Sequence, residues 1–281
     1  MGYSMHRFLR TALAAVIATM LAPANALSQA PTSAFEGLDD QELDEALDFV
    51  LGNALFVLIH ETGHMLVSEL GLPVLGREED AVDSLSTLIM LEADDAVFDQ
   101  ALIDASDGWF LSGEAAENAG DDLAFWGEHS VDEQRAYSII CMMVGQDHEQ
   151  FSGLTAAMEL PEERRGRCAF DYEKTSQSWM QVLEPHMRSD NGESSVAIVY
   201  DEATDPDLEI YALLFREADL LGIAKALIAD MFVLEEGITF QATSCGVANA
   251  FWDPGERTVT FCYELSQFHA QLIADYMKTQ R

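Results

Sequence analysis

Two histidines lie four residues apart in the middle of a long apolar segment, within His60-Glu61-Thr62-Gly63-His64. From Asp44 onward the apolar residues recur at helical spacing, and Gly71-Leu72-Pro73 is typical of a helix end. The segment therefore predicts one helix of about 25 residues. On a helix, this spacing puts both imidazoles on one face, where they can share a metal ion, with Glu61 beside them to activate a water molecule. The alternative is an ordinary helix with two partly buried histidines.

A second helix is predicted from about Gly76 to Leu91, after a loop so short that the two helices should pack as an antiparallel pair. Near its start are Glu79 and, four residues later, Asp83, so both carboxylates share one helix face. Glu78 is a rival to Glu79, but no carboxylate follows it at the same spacing. The alternative interpretation is a solvated acidic turn at the positive end of the helix dipole.

These side chains match the requirements of a catalytic zinc site, which takes three protein ligands and keeps one position open. We predict one Zn²⁺ per chain, bound by His60, His64 and Glu79. Asp83 is then placed to accept a hydrogen bond from a ligand imidazole and so to fix its tautomer.

The rest of the chain predicts an α+β fold. With 281 residues, 49% of them hydrophobic, it can bury a sizeable core. Helical patterns cover 131–143, 172–183 and about 208–231, and β-rich segments cover 196–200, 238–242, 250–252 and 258–261. No internal repeat or long linker divides the chain. We therefore predict a single domain over residues 27–281, mainly helical at 38–188, with a sheet at 194–265 and a C-terminal helix at 264–278.

The chain is strongly acidic, with 14 Lys and Arg against 50 Asp and Glu and a formal net charge of -36. Such a charge repels nucleic acid and anionic membrane surfaces, so we exclude nucleic acid as a partner. Because the acidic residues are spread along the chain, they favour a solvated acidic surface. The alternative is a field that attracts cations, including metals and basic substrates.

Residues 1–26 have the organisation of a signal peptide. Arg7 and Arg10 form a short basic region, Leu9–Leu21 is uncharged apart from Arg10 and otherwise apolar, and Ala24-Asn25-Ala26 is a small-x-small cleavage site. We predict an exported protein, periplasmic or secreted. The alternative is an uncleaved anchor, but the apolar run is shorter than the roughly 20 residues that a spanning helix needs. We identify no later segment that is long and uncharged enough to span a membrane.

Four cysteines in an exported chain predict disulfides rather than thiolate chemistry. Cys245 and Cys262 flank a hairpin-like stretch whose turn is Asp253-Pro254-Gly255-Glu256, so we pair them. Of the three possible pairings, this one leaves Cys141 with Cys168. No CxxC spacing occurs, which disfavours a zinc thiolate site.

The HExxH and ExxxD arrangement resembles the gluzincin metallopeptidases, and residues 54–92 are similar to a bacterial metallopeptidase family of unknown function. The resemblance covers most of the mature chain and implies a zincin-like fold. The Glu128-His129-Ser130 segment, with Arg135 six residues after the histidine, resembles a neprilysin segment. It implies that His129 stabilises the oxyanion and that Arg135 binds the substrate backbone. The chain departs from that pattern because Gly127 stands where neprilysin-like enzymes have an aspartate.

A third resemblance lies in Asn249-Ala250-Phe251-Trp252, which is similar to the edge strand that neprilysin-like enzymes lay along a bound peptide. It implies that Asn249 and the Ala250 backbone bind substrate, since an edge strand pairs with an extended chain. Here the strand follows the HExxH helix instead of preceding it, an order that resembles a circular permutation. The C-terminal helix should then run toward the start of the Asp44 helix. The alternative is a disulfide-tied β-ribbon without a substrate role.

Taken together, these features predict a zinc-dependent metallopeptidase that hydrolyses peptide or protein substrates, with Glu61 as general base and His129 as a catalytic donor. Two other classes stay open: a binding protein that keeps the zinc site without turnover, and a zinc hydrolase of a non-peptide bond.

Overall fold

In the computed structural model, which describes residues 33–189 and 192–281, the protein is α+β, mostly helical with a small mixed sheet. The predicted α+β class is confirmed. The helices are α1 (Asp40–Leu70), α2 (Glu78–Glu92), α3 (Ala96–Ala119), α4 (Asp132–Gln146), α5 (Ser152–Ala157), α6 (Glu162–Leu183), α7 (Glu209–Glu217), α8 (Leu220–Leu227) and α9 (Tyr263–Thr279). The strands are β1 (Ala197–Tyr200), β2 (Thr239–Thr243), β3 (Ala250–Asp253) and β4 (Thr258–Cys262). The predicted signal peptide lies outside the described residues.

Helix α1 is the central element of the fold. It begins four residues before the predicted start because Asp39 caps it and Glu42 completes a capping box. It ends at Gly71, whose positive φ of 61° closes the last turn. Helices α2, α3, α8 and α9 and strands β3 and β4 all pack on α1. This surrounding structure explains why α1 is apolar on nearly every face.

Helix α1 also corrects one expectation, because by length and composition it could cross a membrane. In the fold, 78% of its apolar window is buried by other elements. Burial of that kind is typical of a core helix in a globular protein.

Helix α2 packs closely on α1, as predicted from the short loop between them. A Cβ on Gly63 would lie 3.2 Å from the Val82 Cβ. Packing therefore accounts for a glycine at this position in the middle of a helix.

Helix α3 has no counterpart in the sequence analysis, although it packs extensively on α1. The contact is partly polar: the Asn53 Nδ2 donates to the Asp104 carbonyl oxygen at 2.9 Å. Gly52 lies against the Asp104 side chain, and Gly108 lies against Asn53. These buried polar and glycine positions interrupt the apolar periodicity that identifies a helix in a sequence.

The four strands form one mixed sheet in the order β1-β2-β4-β3. The pairs β1 with β2 and β2 with β4 are parallel, and β3 pairs antiparallel with β4 through a hairpin. The helical stretch predicted between β1 and β2 breaks into α7 and α8 at Asp219, where φ is 50°. Strand β3 therefore lies at the sheet edge, beside α1.

The C-terminal end of α9 lies near the start of α1, as the permuted order predicted. The Lys278 Nζ donates to the Ala34 carbonyl oxygen, and the Arg281 Nη2 donates to the Gly37 carbonyl oxygen and to Glu42. The two ends of the described chain are thus held together on one side of the molecule.

Both predicted disulfides are present, Cys141–Cys168 and Cys245–Cys262. The first joins α4 to α6, and the second joins the segment before β3 to the end of β4. Disulfides persist in oxidising compartments, so the two bridges are consistent with an exported protein.

The contact between α4 and α6 depends on Gly145. A Cβ on this residue would lie 2.3 Å from the Cys168 carbonyl oxygen, a backbone atom that cannot move aside. We therefore expect Gly145→Ala to lower the free energy of unfolding by about 1–3 kcal/mol.

Gly166 in α6 is the matched control, because a Cβ there meets nothing within 4 Å. Gly166→Ala should stabilise the protein by up to about 1 kcal/mol, since alanine has the higher helix propensity. Urea unfolding at neutral pH compares the two, and equal effects would contradict the packing argument.

His269 on α9 is buried among apolar side chains, with its ring edge-on to Phe49 of α1. Its Nδ1 is buried and has no partner among the described residues. Burial lowers the pKa of His269 to about 4. Between this pKa and the unfolded value of 6.5, the unfolded chain binds a proton that the folded chain does not, so acid removes stability.

Because the folded protein keeps the His269 ring neutral, we expect this residue to lower the free energy of unfolding by roughly 2–3 kcal/mol when the pH falls from 7 to 4.5. The measurement is the difference in unfolding free energy between wild type and His269→Leu at the two pH values. Asp104 and Asp107, whose pKa values burial raises to about 6, have the opposite dependence, but they contribute equally to both proteins. A difference that does not change with pH would contradict the prediction.

Candidate active site

Helix α1 presents two imidazoles toward one point. His60 and His64 are one turn apart, and their Nε2 atoms are 3.2 Å from each other. His60 is buried at 4% exposure, whereas His64 is half-buried. The regular helix fixes this separation because i and i+4 side chains are neighbours on its surface.

Glu79 brings a third donor from the first turn of α2. Its Oε2 is 3.1 Å from the His60 Nε2 and 3.3 Å from the His64 Nε2. A tetrahedral metal with bonds of 2.0–2.1 Å keeps its ligand atoms about 3.3 Å apart. The three donors therefore fit a small tetrahedral ion, with two nitrogens and one carboxylate oxygen as ligands.

Each histidine is held by a carboxylate on its other ring nitrogen. The His60 Nδ1 is 2.7 Å from the Asp83 Oδ1, and the His64 Nδ1 is 2.8 Å from the Glu78 Oε1. With a proton on each Nδ1, both Nε2 lone pairs point to the shared position. Glu78, the rival ligand of the sequence analysis, thus lies on the outer side of His64.

In the metal-free cluster, hydrogen bonds between the histidines and the carboxylates favour the charged forms of His60, Glu79 and Asp83. Burial lowers the pKa of His60, but hydrogen bonds to Asp83 and Glu79 outweigh it and raise that pKa to about 9. Burial raises the pKa of Asp83, but hydrogen bonds from His60 and Arg135 outweigh it and hold that pKa at about 2. Against the effect of burial, contacts with His129, His60 and His64 hold the pKa of Glu79 well below its usual range. Glu79 is therefore an anion, ready to bind a cation.

Glu61 lies beside the cluster and faces the sheet. Its Oε2 accepts a hydrogen bond from the Trp252 backbone N–H at 3.1 Å. Burial raises the pKa of Glu61, which makes its carboxylate a better proton acceptor. A contact across 191 residues of sequence thus joins the HExxH helix to the edge strand.

His129 approaches the same cluster from the segment before α4. Its Nε2 is 2.8 Å from the Glu79 Oε2, and its side chain is 51% exposed. The Arg77 Nη1 donates to the His129 carbonyl oxygen at 3.2 Å and holds this segment against the start of α2. The ring is therefore oriented by Glu79 and not by an upstream carboxylate, which agrees with the glycine at position 127.

Arg135 on α4 contacts Asp83 and Trp109. It was expected to bind substrate, yet it is 7% exposed and does not line the groove beside the cluster. Its Nε and Nη2 both donate to Asp83, at 2.7 and 2.8 Å, and its guanidinium lies 3.6 Å from the centre of the Trp109 ring. Arg135 therefore orients Asp83, which in turn orients His60.

A groove of about 670 Å³ runs between the cluster and β3. Asn249 and Ala250 both line it, as do Glu61 and His129. The Asn249 carbonyl oxygen points to β4, where it accepts from the Cys262 N–H. Because backbone groups alternate along a strand, the Ala250 N–H and C=O lie on the outer edge, with the Trp252 N–H.

The hairpin that carries β3 is held against α1 by an ion pair. The Arg257 Nε donates to the Glu69 Oε1 at 2.9 Å, and the Arg257 Nη2 donates to the Glu69 Oε2. Together with the Cys245–Cys262 disulfide, this pair fixes the wall of the groove relative to the histidines.

The sequence comparison agrees with this geometry. A family model described as "Putative metallopeptidase" matches residues 20–183 and 200–281. The chain belongs to this metallopeptidase family. No curated protein and no solved structure gives a significant match.

Membership in a metallopeptidase family implies a metal ion, and the structure offers candidate ligands for it. Among the described residues, two groups have suitable donor atoms: His60, His64 and Glu79, and Cys245, Cys262 and Glu264. The second group is excluded because its two sulfurs are joined in a disulfide. The cluster of His60, His64 and Glu79 is therefore the candidate metal site of this family member.

Besides the Arg135–Asp83 and His129–Glu79 contacts, two contacts at the site were missed by the sequence analysis. Glu78 contacts the His64 Nδ1. The sequence signal that could have identified this contact is the position of Glu78 next to the proposed ligand Glu79. The Trp252 N–H holds Glu61, and no sequence signal exists for it, because a backbone donor does not depend on the residue type.

Proposed function

We propose that this chain is a zinc-dependent metallopeptidase of the gluzincin type, with one zincin-like domain over residues 27–281. The observation that carries the proposal is the cluster of His60, His64 and Glu79, whose donor atoms are 3.1–3.3 Å apart. Two imidazoles, one carboxylate and an open position are the ligand set of many catalytic zinc sites. The family membership supports the same class of reaction.

Glu61 is the general base of the proposed reaction. Bound zinc would activate a water molecule and polarise the carbonyl of a peptide bond. Glu61 accepts the proton of the attacking water, and the Trp252 N–H holds its carboxylate toward the groove. The same carboxyl then donates the proton to the leaving amine nitrogen. The raised pKa of Glu61 suits both transfers.

His129 is the proposed donor to the developing oxyanion, since its exposed Nε2 already points at the cluster. The outer edge of β3 is the proposed peptide-binding surface, with Ala250 pairing with an extended substrate and Asn249 contacting it. Asp83 and Glu78 keep the two imidazoles in the tautomer that leaves Nε2 free. Arg135 acts as a positioning residue through Asp83.

We propose further that the protein is exported, to the periplasm or beyond the cell. The basic and apolar segment in residues 1–26 supports this location, and so do the two disulfides.

The test measures the metal content and the peptide-library cleavage of the mature protein from Leu27 onward. We expect one zinc per chain and cleavage that stops with a chelator and returns with added zinc. Zinc without any cleavage would favour a binding role or a different scissile bond. Cleavage that persists after complete removal of metal would overturn the proposal.

A further inference from the structure

The Asp, Glu, Lys and Arg side chains that line the groove, within the described part of the chain, are all acidic. The acidic ones are Glu61, Glu78, Glu79 and Glu128, and no Lys or Arg lines the groove within the described part of the chain. The nearby Arg77 lies outside the lining and donates to the His129 carbonyl oxygen. With the proposed divalent metal and neutral ligand histidines, these four carboxylates still leave the groove negative.

Three of the four carboxylates already have partners in the site. Glu79 contacts the histidines, Glu78 holds His64, and Glu61 accepts from the strand β3 amide. Glu128 differs from them. It is exposed, and among residues 33–189 and 192–281 it has no hydrogen-bond or ion-pair partner. Its carboxylate is therefore available to a group that enters the groove.

The segment before Glu128 adds an apolar and aromatic surface. Leu123, Phe125 and Trp126 are 52%, 69% and 81% exposed. Trp126 stands two residues before Glu128 in the chain, in a turn closed by the Gly127 N–H and the Ala124 carbonyl oxygen, 2.8 Å apart. Exposed aromatic rings on the same segment as a carboxylate suit a cationic peptide, because a ring attracts the charge and covers the alkyl stem of a basic side chain.

We infer that the groove selects cationic peptides, and that Glu128 is the specificity residue that pairs with a basic side chain of the substrate. This inference rests on the proposed peptidase function and names its substrate class. A carboxylate in a partly enclosed groove discriminates between charges more than it adds affinity, because an acidic peptide meets repulsion where a basic one meets a partner.

The test uses two fluorescent peptides that differ at one position, with arginine in one and glutamate in the other. Binding is measured on zinc-loaded Glu61→Gln protein, so that the peptides are not consumed. We expect a preference of about tenfold or more for the arginine peptide. Glu128→Lys in this background should abolish most of that preference.

Glu117→Lys is the matched control. Glu117 is exposed on α3, does not line the groove, and its replacement changes the net charge by the same amount. This control matters because a chain with a net charge of -36 attracts any cationic peptide at long range. We expect Glu117→Lys to change the preference less than about twofold.

Equal binding of the two peptides overturns the inference. An equal loss of preference in Glu128→Lys and Glu117→Lys also overturns it, because the effect would then come from the overall charge of the protein. Cleavage by the parent protein is recorded separately. Cleavage of both peptides at the same kcat/KM leaves the peptidase function standing and rejects Glu128 as the specificity residue. Selective binding that depends on Glu128, without cleavage by the parent, supports Glu128 as the specificity residue and rejects the peptidase function.

Discussion

Replacement of Glu61 by glutamine is expected to lower the kcat of peptide cleavage by about 100- to 10,000-fold, the range that a general acid–base group contributes. The amide has nearly the same shape and can still accept the Trp252 N–H, but it cannot take a proton from the attacking water. Glu61 is not among the three donors of the metal cluster, so the metal content should stay at that of the parent. The measurements are kcat for one cleaved peptide and zinc per chain on the same preparation.

Two other replacements show whether this loss is specific. Glu79→Gln removes a proposed ligand and should lose metal and activity together. Glu117→Gln changes an exposed carboxylate outside the groove and should retain both. A Glu61→Gln protein that cleaves peptides at the parent rate would show that the base has been misassigned.

The second large effect is expected at Asp83, which lies between His60 and Arg135. Asp83→Ala should lower the unfolding free energy of the metal-free protein by about 3–5 kcal/mol, because it leaves a buried guanidinium without its counter-ion. Arg135 is 7% exposed, donates two hydrogen bonds to Asp83 and lies under the Trp109 ring. Urea unfolding in the presence of a chelator measures this effect without a contribution from bound metal.

A double variant separates the structural role of Asp83 from its role toward the metal. Asp83→Leu with Arg135→Met removes both charges and should recover most of the lost stability. Its zinc affinity should remain about 10- to 100-fold below that of the parent, because the His60 Nδ1 then lacks its acceptor. Competition with a chelator of known affinity gives that value. Full recovery of zinc affinity in the double variant would refute the proposed role of Asp83 in orienting His60.

The two histidines of the cluster were predictable because their geometry is local. Helical periodicity identified α1 and α2, and the spacing of four residues fixed which side chains share a face. The closing hairpin and its disulfide were predictable for the same reason, since a turn with Pro and Gly lies between two β-rich runs. Helix α3 was missed because its buried contact with α1 uses Asn53, Asp104 and glycines instead of an apolar stripe.

By itself, the sequence determined the donor types, the helix that carries the two histidines and the Cys245–Cys262 disulfide, because each depends on residues close together along the chain, and with four cysteines that bridge left Cys141 to pair with Cys168. Only the tertiary structure decided what surrounds them. It turned Arg135 toward Asp83, brought the Trp252 amide to Glu61, and directed His129 toward Glu79. These contacts join residues 50 to 191 positions apart. No local pattern encodes them, because they follow from how α1, α2, α4 and β3 pack against one another.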